Sequence, residues 1–543
     1  MSKEKYYAQP SGTAASSHFA QVPGAEIERS KFDRSHSYKT TFNGGKLVPV
    51  YVDEVLPGDT FHMNSTAFAR LATPLKPIMD NMYLDTHFWF VPYRLVWDHW
   101  QEFMGEVKNP LAAPLTYTIP QTTINCNNGP ASPGEFYLWN FMGLPAMGIG
   151  GGGGQVNVSV SSLPFRAYQL IWNEWYRDEN LQIPVVVPTG DGPDNYNQTL
   201  CLTRGKRKDY FTGALPWPQK GDPVTVPFLA NAPVIGNPAA ANIQFKTAGS
   251  ASFQLQLSTP GTTGQVVGPQ TPGTLASPLE FGTNTGLIAD LTQATAVSIN
   301  ELRTAFQIQR LLERDARGGT RYIELILSHF GVRSDDARLQ RPEYLGGGTN
   351  MININPIAQT VPQVDSPQAN LAAVGTGVNK AGFTKSFTEH GIIIGIISAR
   401  ADLTYQQGVE RFWNRKTRYD FYWPALSHLG EQEILNQEIY LQGNTTDKEI
   451  WGYQERYAEY RYKPSRITGA FSSEQQTSLD VWHLAQDFQS LPALNLFFIA
   501  DNPPFKRISA VPSEPDFLLD IWFSLQTDRP MPVYSVPGLI DHF

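Results

Sequence analysis

The sequence predicts a mainly-β protein whose antiparallel strands come from distant parts of the chain. Three observations carry this: segments of alternating apolar and polar residues, short apolar runs of strand length, and 45 Gly and 41 Pro spread along the sequence without a period. The 543 residues would fill about three or four average domains, but all-β proteins often exceed that size as one domain.

The elements follow in chain order. Val48, Val50 and Val52 share one face of a strand, as do Met82, Leu84, Phe88 and Phe90. At the far end, Phe517, Leu519, Ile521, Phe523 and Leu525 repeat the pattern, so the sheet must close over long excursions. The apolar runs Ile392 to Ile397 and Leu494 to Ala500 fall well short of the roughly 20 residues of a membrane helix and read as buried strands. Helices occupy the excursions. Trp97, Trp100 and Phe103 recur at helical spacing within Leu95 to Met104, and Tyr168, Ile171, Trp172 and Trp175 within Phe165 to Arg177. These aromatics read as core rather than as a cofactor box. Ser298 with Glu301 forms a capping box, Gly318 and Gly319 close that helix, and Arg321 to Phe330 continues as a second one.

Between Pro223 and Val297 the composition changes to Thr, Gly, Pro, Gln, Ala and Asn, with Lys246, Glu280 and Asp290 the only charges. Weak alternation in Asn242 to Thr247 and Ser252 to Leu257 predicts a β-rich protrusion inserted into the main fold, with a polar loop as the alternative.

Charge and cysteine usage exclude several classes. With 42 basic against 50 acidic residues the net charge is -8, so contact with a polyanion must be regional. Cys126 and Cys201 are too few for a disulfide framework and are expected to be reduced thiols. The first residues, MSKEKYYAQPSGTAASS, lack the apolar stretch of a secretory signal, and no membrane span is expected. Gly45-Lys46 and Gly205-Lys206 lack the hydroxyl of a phosphate-binding loop. The glycine run Gly148 to Gly154 leads into Gln155 to Val160, which alternates as a strand and offers no helix N-terminus to a phosphate. No two of the ten histidines lie three or four residues apart, and no nucleophile elbow occurs. Neither a cofactor nor a metal is predicted. The enzyme alternative is a carbohydrate-active β-sandwich, a glycoside hydrolase or a lectin-like adhesin. Its acid and base would be Glu431 with Glu433, or Asp480 with Asp487, although such pairs are usually solvated or salt-bridged.

Basic residues cluster in three places: Arg29, Lys31, Arg34 and Lys39; Arg204, Lys206, Arg207 and Lys208; and Arg411, Arg415, Lys416 and Arg418. The third is interleaved with Phe412, Trp413 and Tyr419, and YQERYAEYRYK (Tyr453 to Lys463) mixes Tyr with Arg, a composition suited to stacking on unpaired bases. The alternative for each cluster is a solvated or subunit-facing surface.

Long blocks of the sequence resemble the major capsid protein of gokushoviruses, a branch of the Microviridae. They are SHFAQVPGAEIERSKFDRSHSYKTTFNGGKLVPVYVDEVLPGD (Ser17 to Asp59), FRAYQLIWNEWYRDENLQ (Phe165 to Gln182), DYFTGALPWPQKG (Asp209 to Gly221), EQEILNQEIYLQG (Glu431 to Gly443), and GYQERYAEYRYKPSRITG with LDVWHLAQDF (Gly452 to Phe488). The resemblance implies a single eight-stranded antiparallel jelly roll of viral coat type over residues 1–543, with residues 1–45 as an N-terminal arm and 223–297 as a protrusion at the threefold axis. It implies a T=1 shell of many copies around circular single-stranded DNA, made in the bacterial cytoplasm. The partners it implies are an internal scaffolding protein, a DNA pilot protein, a small basic DNA-binding protein and a host cell-surface receptor. On that reading Lys31, Arg34 and the two later basic clusters are candidates for the genome. Gln244, Thr247, Gln254, Thr262, Gln265, Thr283 and Asn284 are candidates for the receptor.

Overall fold

The computed structural model describes residues 27–106, 116–127, 129, 131, 135–147, 156–222, 234–236, 244–247, 253–254, 279–281, 287–289, 299–318, 328, 340–361 and 368–534. Two compact units emerge, one from Met1–Pro218 with Gly318–Phe543, the other from Gln219–Arg317.

The first unit is organised by one antiparallel sheet. Its strands are β1 (Ser30–Asp33), β2 (His36–Phe42), β3 (Val48–Val55), β4 (Thr60–Leu71), β5 (Met82–Pro92), β6 (Glu343–Ala358), β7 (Leu371–Ser386) and β8 (Gly391–Ala401). A separate ribbon follows, β9 (Glu431–Leu435) with β10 (Ile450–Glu455), and the last strand, β11 (Phe517–Arg529), returns to the sheet. The order is β1-β11-β4-β7-β6-β5-β8-β3, with β2 also paired to β11. β1 lies against Gln526 to Arg529 and β2 against Phe517 to Phe523, so together they form one interrupted edge strand and the sheet is eight positions wide. It curls into a half-barrel of jelly-roll type.

The alternation read from the sequence sets which face is inside. β11 alternates buried and exposed from Phe517 to Leu525, and β4 does the same from Phe61 to Leu71, so Phe61, Met63, Phe517 and Phe523 fill the concavity. The opposite face at these strands is bare. Phe68, opposite Asp520 and Val378, and Trp522, opposite Thr66, are about half exposed there. β8 differs, because all eleven residues are buried, and β5 is covered on both faces over most of its length. Their second face is covered by the excursion carrying helix α1 (Leu163–Ile171). Gly395 in β8 is required by this crowding, since a Cβ would lie 2.8 Å from the Phe88 ring and 2.9 Å from Tyr51 Cβ.

α1 carries a fully buried charge. The Arg166 guanidinium forks onto Asp194 through Nε (2.7 Å) and Nη2 (2.9 Å) and donates from Nη1 to the Val96 carbonyl (2.9 Å). All three directions of the side chain are thereby satisfied, which a buried guanidinium requires.

Local expectations differ from the structure in three places. Leu494 to Ala500 is not a strand: Asn495 Oδ1 accepts from the Phe497 and Phe498 amides and starts a short helix, Leu496–Ile499. Leu95 to Met104 is broken into a 3-10 turn, Tyr93–Leu95, and a helix, Trp100–Phe103. Asp98 between them is tied instead to Thr189, which accepts its amide and donates its hydroxyl to its carboxylate. After Ile171 the helix widens to a π turn over Trp172–Tyr176, which packs the Trp175 ring tilted against Trp89 (4.8 Å). Ser298 and most of Arg321 to Phe330 lie outside the described residues.

The second unit has a three-stranded sheet in which Gln244–Thr247 runs between Phe253–Gln254 and Leu279–Phe281. Val234–Gly236 pairs with Leu287–Ala289, and helix α2 (Ile299–Gly318) follows. Among the described residues no helix is long and apolar enough to cross a membrane.

Candidate nucleic-acid interface

The three basic clusters have different surroundings. In the second, Arg204 sits where β8 meets the end of β5. Its Nη1 donates to Asp85 Oδ2 (2.6 Å) and Ser398 Oγ (3.0 Å), Arg400 Nε reaches the same Asp85 oxygen (2.9 Å), and Thr349 donates to Oδ1 (2.8 Å). Burial alone would raise the Asp85 carboxyl, but Arg204 and Arg400 hold it below the usual range. Lys206 is also turned inward. It is 8% exposed, its ammonium lies 4.6 Å from the centre of the Phe498 ring, and Nζ donates to Gln486 Oε1 (3.1 Å). Burial lowers its pKa to about 8, against the pull of Asp501 and Asp209. Lys208 is paired with Asp178, and Arg207 is exposed. Arg204 therefore ties this segment to the sheet, and Lys206 turns it inward against Phe498.

At the N-terminal side, Arg34 forks onto Asp53 (2.7 and 2.9 Å), whose Oδ2 also accepts from Tyr51, while Lys31 on β1 is exposed.

The third cluster is divided: Lys416 and Arg418 are exposed, while Arg411 and Arg415 are turned in against Glu438 and Glu459. A second core of Tyr210, Phe211, Tyr405, Ile434, Trp451 and Phe498 supports the β9–β10 ribbon. Buried Glu438 is its polar pin: it accepts from Arg411 Nη1 (2.9 Å), Tyr210 Oη (2.7 Å) and the Leu435 amide (3.0 Å). Burial raises its pKa, with Arg411 opposing. Arg411 also donates to the Glu433 carbonyl (2.5 Å). From this anchor the segment to Trp423 runs through 3-10 turns. Asp420 accepts the Lys416 (2.8 Å) and Thr417 (2.7 Å) amides, which hold its carboxyl below the usual range.

The side chains so displayed are aromatic and cationic together. Trp413 is 70% exposed, and Tyr419, Phe421, Tyr422 and Trp423 are each about half exposed. Arg415 pairs with Glu459 (3.2 Å) and lies over the Tyr460 (4.7 Å) and Phe421 (5.1 Å) rings. Arg418 lies over Tyr419 (4.7 Å), and Lys416 is exposed beside it. Rings facing solvent with cations beside them can stack on unpaired bases while the cations meet the phosphates. Two cavities open on either side of Arg411, Arg415 and Glu438, one of about 230 Å³ against Phe211 and Tyr405, the other of about 470 Å³ against β9 and β10.

Of the receptor candidates, Gln244 and Thr247 lie on one strand of the second unit and Gln254 on the next, while Thr262, Gln265, Thr283 and Asn284 lie outside the described residues. Cys126 and Cys201 are buried free thiols, and burial pushes the Cys201 thiol well up. Among the described residues no group of three His, Cys, Asp or Glu side chains is placed to hold a metal. Sequence reasoning missed Asp85, Arg400 and the Arg166–Asp194 pair; the available signal was a lone charge inside an apolar strand or helix face, as in MYLDTHFWFVP and GIIIGIISARA.

Comparison with known proteins extends over nearly the whole chain. The family model described as "Capsid protein (F protein)" matches residues 20–539. The chain is 47% identical to "Capsid protein VP1" of Bdellovibrio phage phiMH2K, across 97% of this chain and 98% of that protein. It is 43% identical to "Capsid protein VP1" of Chlamydia phage 1 (96% and 97%) and 35% identical to that of Spiroplasma virus 4 (96% and 97%).

Proposed function

Because the chain belongs to the phage capsid protein (F protein) family, with the VP1 proteins of Microviridae as relatives, we propose that it is the major capsid protein of a gokushovirus, closing into a T=1 shell around circular single-stranded DNA. The end-to-end match to proteins named as capsid subunits carries this reading, and it makes the protein a structural subunit and not an enzyme. A closed shell needs heterologous contacts that return on themselves, and large loop-built surfaces rich in exposed aromatics suit that requirement.

The acidic net charge fits a shell that meets its genome at a few places. The surface over Arg411 to Trp423, with Lys416 and Arg418 outermost, is the place proposed here; Arg207, Lys31 and the remaining cations contribute less. Assembly is proposed to occur in the host cytoplasm with an internal scaffolding protein, a DNA pilot protein and a small basic DNA-binding protein. The insertion 223–297 is proposed as the protrusion at the threefold axis that meets the host receptor.

Nuclease digestion of particles purified from a co-expressing host tests the reading. Single-stranded DNA that stays intact in the particle fraction and is digested once the particles are disrupted is the expected result. Particles whose nucleic acid is digested as readily as free DNA would overturn it.

A further inference from the structure

The sheet face turned away from the core presents two open rings. Every second side chain of β4 and β11 points that way, and the register sets Trp522 between Ser37 and Thr66, and Phe68 between Asp520 and Val378. Trp522 and Phe68 are thus diagonal neighbours, with Cα atoms roughly 7–8 Å apart. They are 53% and 46% exposed, and the side chains around Trp522, those of Ser37, Thr66 and Ser524, are too short to cover its ring.

Cations stand on the same face. Lys39 is opposite Asp520 and diagonal to Trp522, Lys380 is opposite Thr66 and diagonal to Phe68, and Arg70 follows Phe68 two residues along β4. All three are exposed. Arg70 and Lys380 have no carboxylate partner among the described residues, and Asp520 is tied to Lys39 (3.2 Å), so the patch is positive in a chain of net charge -8. Interfaces between proteins are depleted in lysine, whereas here a lysine lies beside each ring. Exposed rings on an open antiparallel sheet, with cations next to them, fit unpaired bases and their phosphates. We propose that this face is a stacking platform for a single strand of nucleic acid, separate from the Arg411 to Trp423 surface. Trp522 and Phe68 each take the face of one base, and Lys39, Arg70 and Lys380 meet the backbone. Bases in a duplex are already stacked on their neighbours, so the platform selects unpaired ones. The proposal rests on the reading of the chain as a coat around single-stranded DNA and adds a second place of contact, led by rings instead of by cations.

The test is photo-crosslinking of the full-length subunit to single-stranded DNA carrying 5-iododeoxyuridine, with the adducts mapped by mass spectrometry. Adducts are expected on the peptides that hold Trp522 and Phe68, and not when the same strand is supplied as a duplex. Lys39→Gln with Lys380→Gln, both on exposed positions, should lower the adduct yield at Trp522 roughly fivefold at physiological salt and leave adducts within Arg411 to Trp423 unchanged. Adducts confined to other segments, or an equal yield from duplex, would overturn the platform. The coat reading would survive that result, because nuclease protection of particles tests it separately. Absence of adducts at Trp522 and Phe68, together with loss of particle assembly in Phe68→Ser with Trp522→Ser, would overturn the platform and assign the face to a contact between copies of the chain.

Discussion

Replacing Arg204 by Gln should damage the fold and spare nucleic-acid binding, the opposite of what its place in a basic run suggests. Asp85 is 3% exposed, and the Arg204 side chain 14%. The variant removes the 2.6 Å contact but leaves Asp85 with Arg400 at 2.9 Å and Thr349 at 2.8 Å. Breaking a buried pair outright costs about 3–5 kcal/mol; with two partners kept, about 2–4 kcal/mol is expected. Taking a urea dependence of about 3 kcal/mol per molar, the unfolding midpoint followed by tryptophan fluorescence should fall by roughly 1 M. Arg418→Gln, on the exposed segment, should leave the midpoint where it is, since surface changes stay within about 0.5 kcal/mol, and should reduce the salt slope of single-strand binding by about one. An unmoved midpoint for Arg204→Gln together with weakened binding would refute the division between buried and displayed cations.

Asp501 lies among Arg204, Lys206, Arg400 and Asp85, and burial pushes its pKa up to about 6 despite the three cations. The folded state then binds more protons than the unfolded state between about pH 4 and 6, so this group's contribution to stability falls as pH rises through that window. Asp501→Asn should remove that slope and raise stability above pH 7 by about 2–3 kcal/mol, read as the difference between variant and parent urea midpoints at pH 4.5 and 7.5; a difference that does not change with pH would contradict it. On β11, Phe523→Ala should cost about 3–5 kcal/mol and the adjacent Trp522→Ala well under 1, because the first ring is fully buried and the second 53% exposed; melting curves decide. Deleting residues within 223–297 should preserve particle formation and change attachment to the host cell, and loss of particles would refute that separation.

How much of this was legible in the sequence follows from what each pattern encodes. Period-two alternation fixes a strand and its buried face locally, which is why Phe517 to Leu525 could be read from the sequence as a half-buried strand. Strand order depends on pairing across hundreds of residues, such as Lys385 with Phe61 on β7 and β4, and no local pattern carries it. Leu494 to Ala500 shows the limit for short apolar runs, where one Asn cap decides between strand and helix. At the candidate interface, residue type marked the Arg411 to Arg418 region as aromatic and basic, but could not separate Arg204 and Lys206, which face carboxylates and rings inside, from Lys416 and Arg418, which face solvent. That distinction is set by tertiary contacts to Asp85, Phe498 and Gln486, far away in sequence.

Electron microscopy of the chain co-expressed with the proposed internal scaffolding protein tests the central claim most directly. Closed isometric shells of T=1 symmetry are the predicted result; monomers or small open oligomers in the presence of scaffold would contradict it.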